Sequence, residues 1–225
     1  MQRLMIKYLS YADMVSVTNA IFGFLSILML ALNEFRYAYS FILIALMADG
    51  LDGILARTTG KGKLGGYLES MADMTSMSIA PSFFIFQIYT DILKNEINLI
   101  LLTIGILFVF ISFCIIRLAA FHLMKDKSYF FGLPASASAI IIIILSYLKI
   151  DLIFVLFIVL LLSFLLISNI PFPKTDTSIN IIAVVLILLN LIMGKNYNGI
   201  APIILLAAIF IYSSLGPLYI SLKKA

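Results

Sequence analysis

The sequence predicts an all-α, polytopic transmembrane bundle of about eight helices, on three observations. Of its 225 residues, 63% are hydrophobic and only 12% are charged, whereas soluble chains run near half apolar and a quarter charged. The apolar residues fall in long runs separated by short polar breaks, the pattern of spans that each need ~17–25 residues. A few acidic side chains lie inside those runs, where a charge is costly unless it faces a cavity or a partner. Lipid must therefore be the solvent for most of this chain, and a soluble fold is excluded.

The elements follow in order. Residues 1–13 carry Arg3 and Lys7 among Leu4, Met5, Tyr8 and Leu9. They read either as a short interfacial helix or as a solvated end. The run 14–32 is long enough to span and is followed by no small-residue cleavage site, so it is a retained helix rather than a leader. Further spans are expected near 37–57, 64–90, 97–124, 133–148, 152–169, 178–193 and 199–221. The fifth and seventh are short, which leaves open a six-helix core with an added re-entrant or interfacial hairpin. No repeat and no second soluble domain interrupts them, so residues 1–225 read as one membrane domain. The single cysteine, Cys114, cannot form an intrachain disulfide.

Charge orients the bundle. With an even number of spans and both termini cytoplasmic, the inner loops and ends carry ten Lys and Arg residues, and the outer loops carry Arg36, Lys94, Lys149 and Lys195. That asymmetry satisfies the positive-inside rule. Only Arg117 is left within a span. The basic residues are scattered over short loops, so the net charge of +4 does not point to nucleic acid.

Four of the eleven acidic residues carry the chemistry. Asp49 and Asp52 share one face of the second helix at i, i+3, and Glu69 and Asp73 share one face of the third at i, i+4. Gly53 and Ala56 fall on the first acidic face; Gly65, Gly66, Ala72 and Ser76 fall near the second. Small residues leave room for a ligand against the backbone. The short Gly- and Lys-containing loop Thr58–Leu64 makes the two helices antiparallel, so the pairs can converge near the cytoplasmic surface. Four carboxylates in a low-dielectric groove repel one another unless protons or cations intervene. Oxygen-only ligands suit Mg²⁺, Mn²⁺ or Ca²⁺ rather than zinc. The plainer alternative is a set of fixed ion pairs with Arg57, Lys61 and Lys63, but two glycine-flanked pairs on adjacent helices exceed what simple pairing requires.

Written out, these residues are Asp49-x-x-Asp52-Gly53-x-x-Ala56-Arg57, then seven residues, then Gly65-x-x-x-Glu69-x-x-x-Asp73. The pattern resembles the signature of the CDP-alcohol phosphotransferase family. The segments around Asn19 and Gly23, ESMADMTSMSIAPSFF, IIRLAAFH with Arg117, and FFGLPASASA at Phe130–Ala139 are similar to its phosphatidylserine synthase branch. The likeness covers roughly residues 14–140. Two features depart from the family pattern: Glu69 stands where aspartate is usual, and the spacer after Arg57 is seven residues instead of eight.

The resemblance implies an enzyme. It would move a phosphatidyl-type group from a CDP-activated lipid (CDP-diacylglycerol or a CDP-archaeol-like donor) to an alcohol, expected to be L-serine, with release of CMP. It implies Asp49, Asp52, Glu69 and Asp73 as ligands of Mg²⁺ or Mn²⁺, with Ca²⁺ able to bind. Asp73 would be the base that activates the acceptor hydroxyl. Asn19, Asp49, Gly53, Ala56, Arg57 and Gly65 would hold the nucleotide and donor phosphates, and Arg117 the acceptor. A homodimer among membrane lipids is the implied assembly. His122 lies about one turn beyond Arg117 and is read as interfacial. Lys125 and Lys127 are read as topology-setting cations, and Ser136 and Ser138 as helix-contact residues. Two rivals remain at this level: a phosphorylated acceptor such as glycerol 3-phosphate or inositol phosphate, and a divalent-cation or proton transporter. The first would need several cations in the acceptor pocket, and only Arg117 lies deep in a span. The second would need acids further along a through-path.

Overall fold

The computed structural model describes residues 5–59, 62–121, 129–173 and 177–224, with residues 5–6, 56–59, 121, 177–178 and 221–224 described by their backbone alone. The chain is helical almost throughout. A 3₁₀ turn, Met5–Tyr8, precedes α1 (Tyr11–Ala31) and α2 (Phe35–Thr59). A near-continuous rod follows: α3 (Gly65–Asp73), a π-helical segment (Met74–Ile79) and α4 (Ala80–Ile88). A single turn, α5 (Thr90–Leu93), leads to α6 (Ile97–Phe121). The strand β1 (Tyr129–Phe131), α7 (Ala135–Tyr147), α8 (Leu152–Leu166), β2 (Pro171–Pro173), α9 (Thr177–Met193) and α10 (Asn196–Lys224) complete the order.

The eight expected spans correspond to α1, α2, the α3–α4 rod and α6 to α10. This is an integral, multi-pass membrane protein. Helices α1, α2, α6 and α10 are long and apolar enough to cross a bilayer, while α7, α8 and α9 are apolar but shorter. The 13 residues of α7 rise only about 20 Å, less than the ~30 Å hydrocarbon core, yet α7 is buried along nearly its whole length. It is a central helix wrapped by the others. Large apolar side chains such as Phe108, Ile192 and Phe210 stand exposed on α6, α9 and α10, the surface that lipid covers.

At the N-terminus the structure refines the expectation of an interfacial helix over 1–13. Ser10 and Asp13 form a reciprocal capping box, with the Ser10 amide donating to Asp13 Oδ2 at 2.7 Å and the Asp13 amide donating to Ser10 Oγ at 3.3 Å. Asp13 is thus the N-terminal turn of α1 and is buried. The same cap meets the α2–α3 loop. A side chain at Gly62 would collide with the Asp13 carboxylate and the Tyr8 carbonyl, and Lys63 Nζ lies 5.7 Å from the Tyr8 ring centroid. The start of α1 therefore seats the loop between the two acidic helices.

The third span is broken in a way its hydropathy does not reveal. Pro81 lies at the start of α4. Proline has no amide hydrogen, and its ring clashes with the carbonyl four residues back, so the preceding turn widens to the π register, with the Ala80 amide bonding the Thr75 carbonyl. On its outer side the widened turn meets Gly23 of α1. A Cβ at Gly23 would stand 3.0 Å from Ser76 Cα, so any side chain there would press the two backbones apart.

At the other end of the bundle, Tyr39 of α2 stacks on Tyr147 of α7 at 4.2 Å and 6°. Its hydroxyl donates to Asn190 Oδ1 at 2.9 Å, and Asn190 Nδ2 donates to the Ala201 carbonyl at 3.0 Å. One buried polar chain thus ties α2, α7, α9 and α10 together. Helix α10 opens on three consecutive left-handed residues, Tyr197, Asn198 and Gly199. That turn, rather than continuous helix, reverses the chain after α9.

Gly23→Val should force α1 off the π segment. Overpacking of this kind costs about 1–3 kcal/mol, read as a lower melting temperature in detergent. Gly105→Val, on α6 where a Cβ meets nothing within 4 Å, should leave the melt unchanged.

Candidate active site

The site is built where α1, α2, α3 and α6 approach one another. Helix α1 turns an unusual face to its neighbours. Its buried residues are Ala12, Asp13, Ser16, Asn19, Gly23, Ser26 and Leu30, spaced three and four apart and therefore on one stripe. The stripe is small and polar. In a membrane, small polar faces allow close helix approach and supply hydrogen bonds across it.

Two of those residues hold the acids. Ser16 Oγ donates to Asp52 Oδ2 at 2.5 Å, and Asn19 Nδ2 donates to Asp73 Oδ1 at 3.0 Å. The carboxyls of Asp49 and Asp73 hydrogen-bond to each other, and Asp52, Glu69 and Arg117 lie within electrostatic reach of Asp49. Asp49 thus stands within electrostatic reach of the other three acids singled out by spacing. Asp52 and Asp73 are buried, at 3% and 8% exposure, and Asp49 and Glu69 are half-buried. The Asp49 and Glu69 side is the one open to a ligand. Among the described residues, a Cβ at Gly53 would meet nothing within 4 Å, so the space next to Gly53 is open. Gly65 is buried at the first turn of α3.

The donor set fits a divalent cation by its chemistry. All its ligands are carboxylate oxygens, and two carboxyls in hydrogen-bond contact must share either a proton or a cation. Among the described residues, however, no three such side chains already form a ligand cage. Ser16 and Asn19 of α1 instead donate hydrogen bonds to Asp52 and Asp73.

Asn19, which the resemblance assigns to the nucleotide, lies against Asp73. Its amide nitrogen is engaged by Asp73, and its Oδ1 is buried without a described partner, so any contact with a nucleotide would fall to that oxygen. Ser16 escaped sequence reasoning altogether. The signal for it was present, since Ser16 and Asn19 repeat in α1 the i, i+3 spacing of polar groups that marked Asp49 and Asp52. Ala56 and Arg57 belong to α2 by their backbone, but their side chains lie outside the described residues, as do Lys61, His122, Lys125 and Lys127. Ser138 is fully buried, with its hydroxyl donating to the Ala135 carbonyl at 2.8 Å.

Arg117 comes from the last turns of α6. Its Nε is buried without a hydrogen-bond partner, and its guanidinium feels the charges of Asp73 and Asp49. It also lines a cavity of about 220 Å³ bounded by α6, β1 and the end of α8. Among the described residues its lining carries one cation, Arg117.

Known proteins resemble this chain over most of its length. A family model described as CDP-alcohol phosphatidyltransferase matches residues 9–170. The chain is 31% identical over 177 residues to the CDP-diacylglycerol–serine O-phosphatidyltransferase of Methanocaldococcus jannaschii, an overlap covering 77% of this chain and 78% of that one. It is 30% identical over 178 residues to the archaetidylserine synthase of Methanothermobacter thermautotrophicus, with 76% and 72% covered. It is 26% identical over 229 residues to the CDP-diacylglycerol–serine O-phosphatidyltransferase of Helicobacter pylori, with 95% and 93% covered.

Ser16→Ala should leave the buried Asp52 carboxyl short of a donor, a loss of about 1–3 kcal/mol visible as a lowered melting temperature. Truncating Thr18, which is exposed on the same helix, should change nothing.

Proposed function

The chain belongs to the CDP-alcohol phosphatidyltransferase family, and from that premise we propose that it transfers a phosphatidyl-type group from a CDP-activated lipid to L-serine, releasing CMP. It is an enzyme of phospholipid synthesis. The observation that supports the reading is that Asp52, Glu69, Asp73 and Arg117 all lie within electrostatic reach of Asp49. The serine transferases among its relatives support the acceptor.

Each step of the mechanism has a residue to carry it. The donor's pyrophosphate would lie along the open groove at Gly53, with its head group wet and its tails in lipid. Asp49, Asp52, Glu69 and Asp73 would hold Mg²⁺ or Mn²⁺, which when bound neutralises charge on the pyrophosphate and on departing CMP. An alcohol is a poor nucleophile and needs a base within hydrogen-bonding reach. Asp73 is that base, and Asn19 holds its carboxyl in place. As the serine oxygen bonds to the lipid-side phosphorus, its proton passes to Asp73, and the phosphorus–oxygen bond to CMP breaks. No covalent enzyme intermediate is needed. Arg117 draws in the serine carboxylate, and its unpaired Nε makes it available to do so. The excess of cations on the inner loops supports a cytoplasmic site and cytoplasmic termini.

The purified protein should release CMP from CDP-lipid in a serine-dependent manner. Chelation with EDTA should stop turnover, and Mg²⁺ or Mn²⁺ should restore it. Asp73→Asn should lower turnover by about 10²–10⁴-fold while CDP-lipid still binds. Full activity in that variant would remove Asp73 as the base. Arg117→Ala should raise the serine KM by about tenfold or more with a smaller effect on CDP-lipid binding, and the reverse would assign Arg117 to the donor phosphates.

A further inference from the structure

Three of the four cations expected in the outer loops come together at the end of the bundle remote from the acids. Arg36 opens α2, about 20 Å along that helix from Asp49. Lys149 follows α7, and Lys195 follows α9. The ring of Tyr147, the last residue of α7, is their common centre. Lys195 Nζ lies 4.7 Å from its centroid, and the Lys195 amide donates to its hydroxyl. The charge of Arg36 reaches the same residue. Tyr147 Oη and Arg36 Nε would stand 3.4 Å and 3.7 Å from a Cβ built at Gly194. Burial, and then the nearby charge of Lys149, hold the Lys195 ammonium below the usual lysine range.

The backbone fixes these groups in place. Lys149 (φ 57°) and Gly194 (φ 52°) take left-handed turns. Leu148 seats the turn after α9, since its Cδ2 would lie 2.9 Å from a Cβ at Gly199. Beneath the cluster, Tyr39 stacks on Tyr147 and bonds Asn190.

The positive charge is not balanced locally. Among the described residues, none of the three cations makes an ion pair. Of the acids at this end, Asp91 pairs with Lys94, and Asp151 caps α8 through the Phe154 amide. The carbonyl ends of α7 and α9 supply about half a negative charge each. Arg36 gains nothing from a helix end: it stands in the first turn of α2, the positive end, and no acid shares that turn. Three positive charges therefore exceed what the helix ends offset, and an arriving anion would relieve their repulsion.

The depth of the cluster identifies the source of that anion. Tyr37 and Tyr197 are exposed beside Arg36 and Lys195, and Ile192 is exposed on α9 just below. Tyrosines with an apolar surface beneath them mark the level of the lipid head groups. Basic pockets between transmembrane helices hold anionic head groups.

We propose that Arg36, Lys149 and Lys195 form a seat for the phosphate of an anionic membrane lipid, which bridges α2, α7 and α9 at the end of the bundle remote from the acids.

The test uses the full chain, delipidated in neutral detergent. It reads the melting temperature, and bound lipid by native mass spectrometry. Phosphatidylglycerol should raise the melting temperature and stay bound. Phosphatidylcholine, whose phosphate carries its own cation, should do both more weakly. Lys149→Gln should weaken phosphatidylglycerol binding about fivefold, and the triple variant Arg36→Gln, Lys149→Gln, Lys195→Gln should abolish the difference between the two lipids. Arg36→Lys should keep that difference, which guards against a folding defect at this position. Lys94→Gln, at the same end but paired with Asp91, should change nothing. The proposal is overturned if both lipids stabilise the wild type equally. It is also overturned if the triple variant, or every single variant where the triple does not fold, prefers phosphatidylglycerol as strongly as the wild type. An equal shift with inorganic phosphate alone overturns the lipid as occupant.

Discussion

Everything in this molecule is arranged around four carboxyls gathered in a place where water is scarce. Like charges at such density are tolerable only if protons, cations or hydrogen-bond donors intervene. The structure supplies the donors from α1. Ser16 and Asn19 each donate to one buried aspartate, so α1 gives up the apolar face it would otherwise turn to the bundle. Its small polar stripe has two effects at once. It lets α1 come close to α2 and α3, and it spreads negative charge over groups that can stabilise it.

Close approach requires accommodations elsewhere. Gly23 lets α1 sit against the backbone of Ser76, and Pro81 widens the third span into a π turn directly after Asp73. A π turn shifts the helical phase, so the residues beyond Asp73 turn their faces independently of the acidic face before it. The Ser10–Asp13 cap and Gly62 seat the loop joining the acidic helices. These contacts act on position: none needs to touch a substrate, yet each constrains where the carboxyls stand.

The surroundings of Arg117 are built by a different device. Arg117 projects from the end of α6 into a cavity closed by a two-stranded ribbon and by the carbonyl end of α8. A buried guanidinium without a hydrogen bond at Nε is costly by itself and is suited to an anion that arrives from outside. Its electrostatic reach to Asp73 and Asp49 is what the roles proposed for Arg117 and Asp73 in direct attack by a hydroxyl call for.

Much of this was legible in the residues alone. A bilayer leaves helices few alternatives, so hydropathy set the number of spans, and fixed helical periodicity placed Asp49 with Asp52 and Glu69 with Asp73. The short loop made their helices antiparallel, and the motif they form led to the family. What periodicity cannot give is the neighbour that a face meets. That Ser16 and Asn19 hold two of the acids, that Gly23 packs on a π turn, and that Arg117 shares a cavity with the end of α8 some fifty residues later all depend on how helices pack. Such contacts join residues distant in the chain through close-range hydrogen bonding and steric fit, and only the tertiary structure decided them.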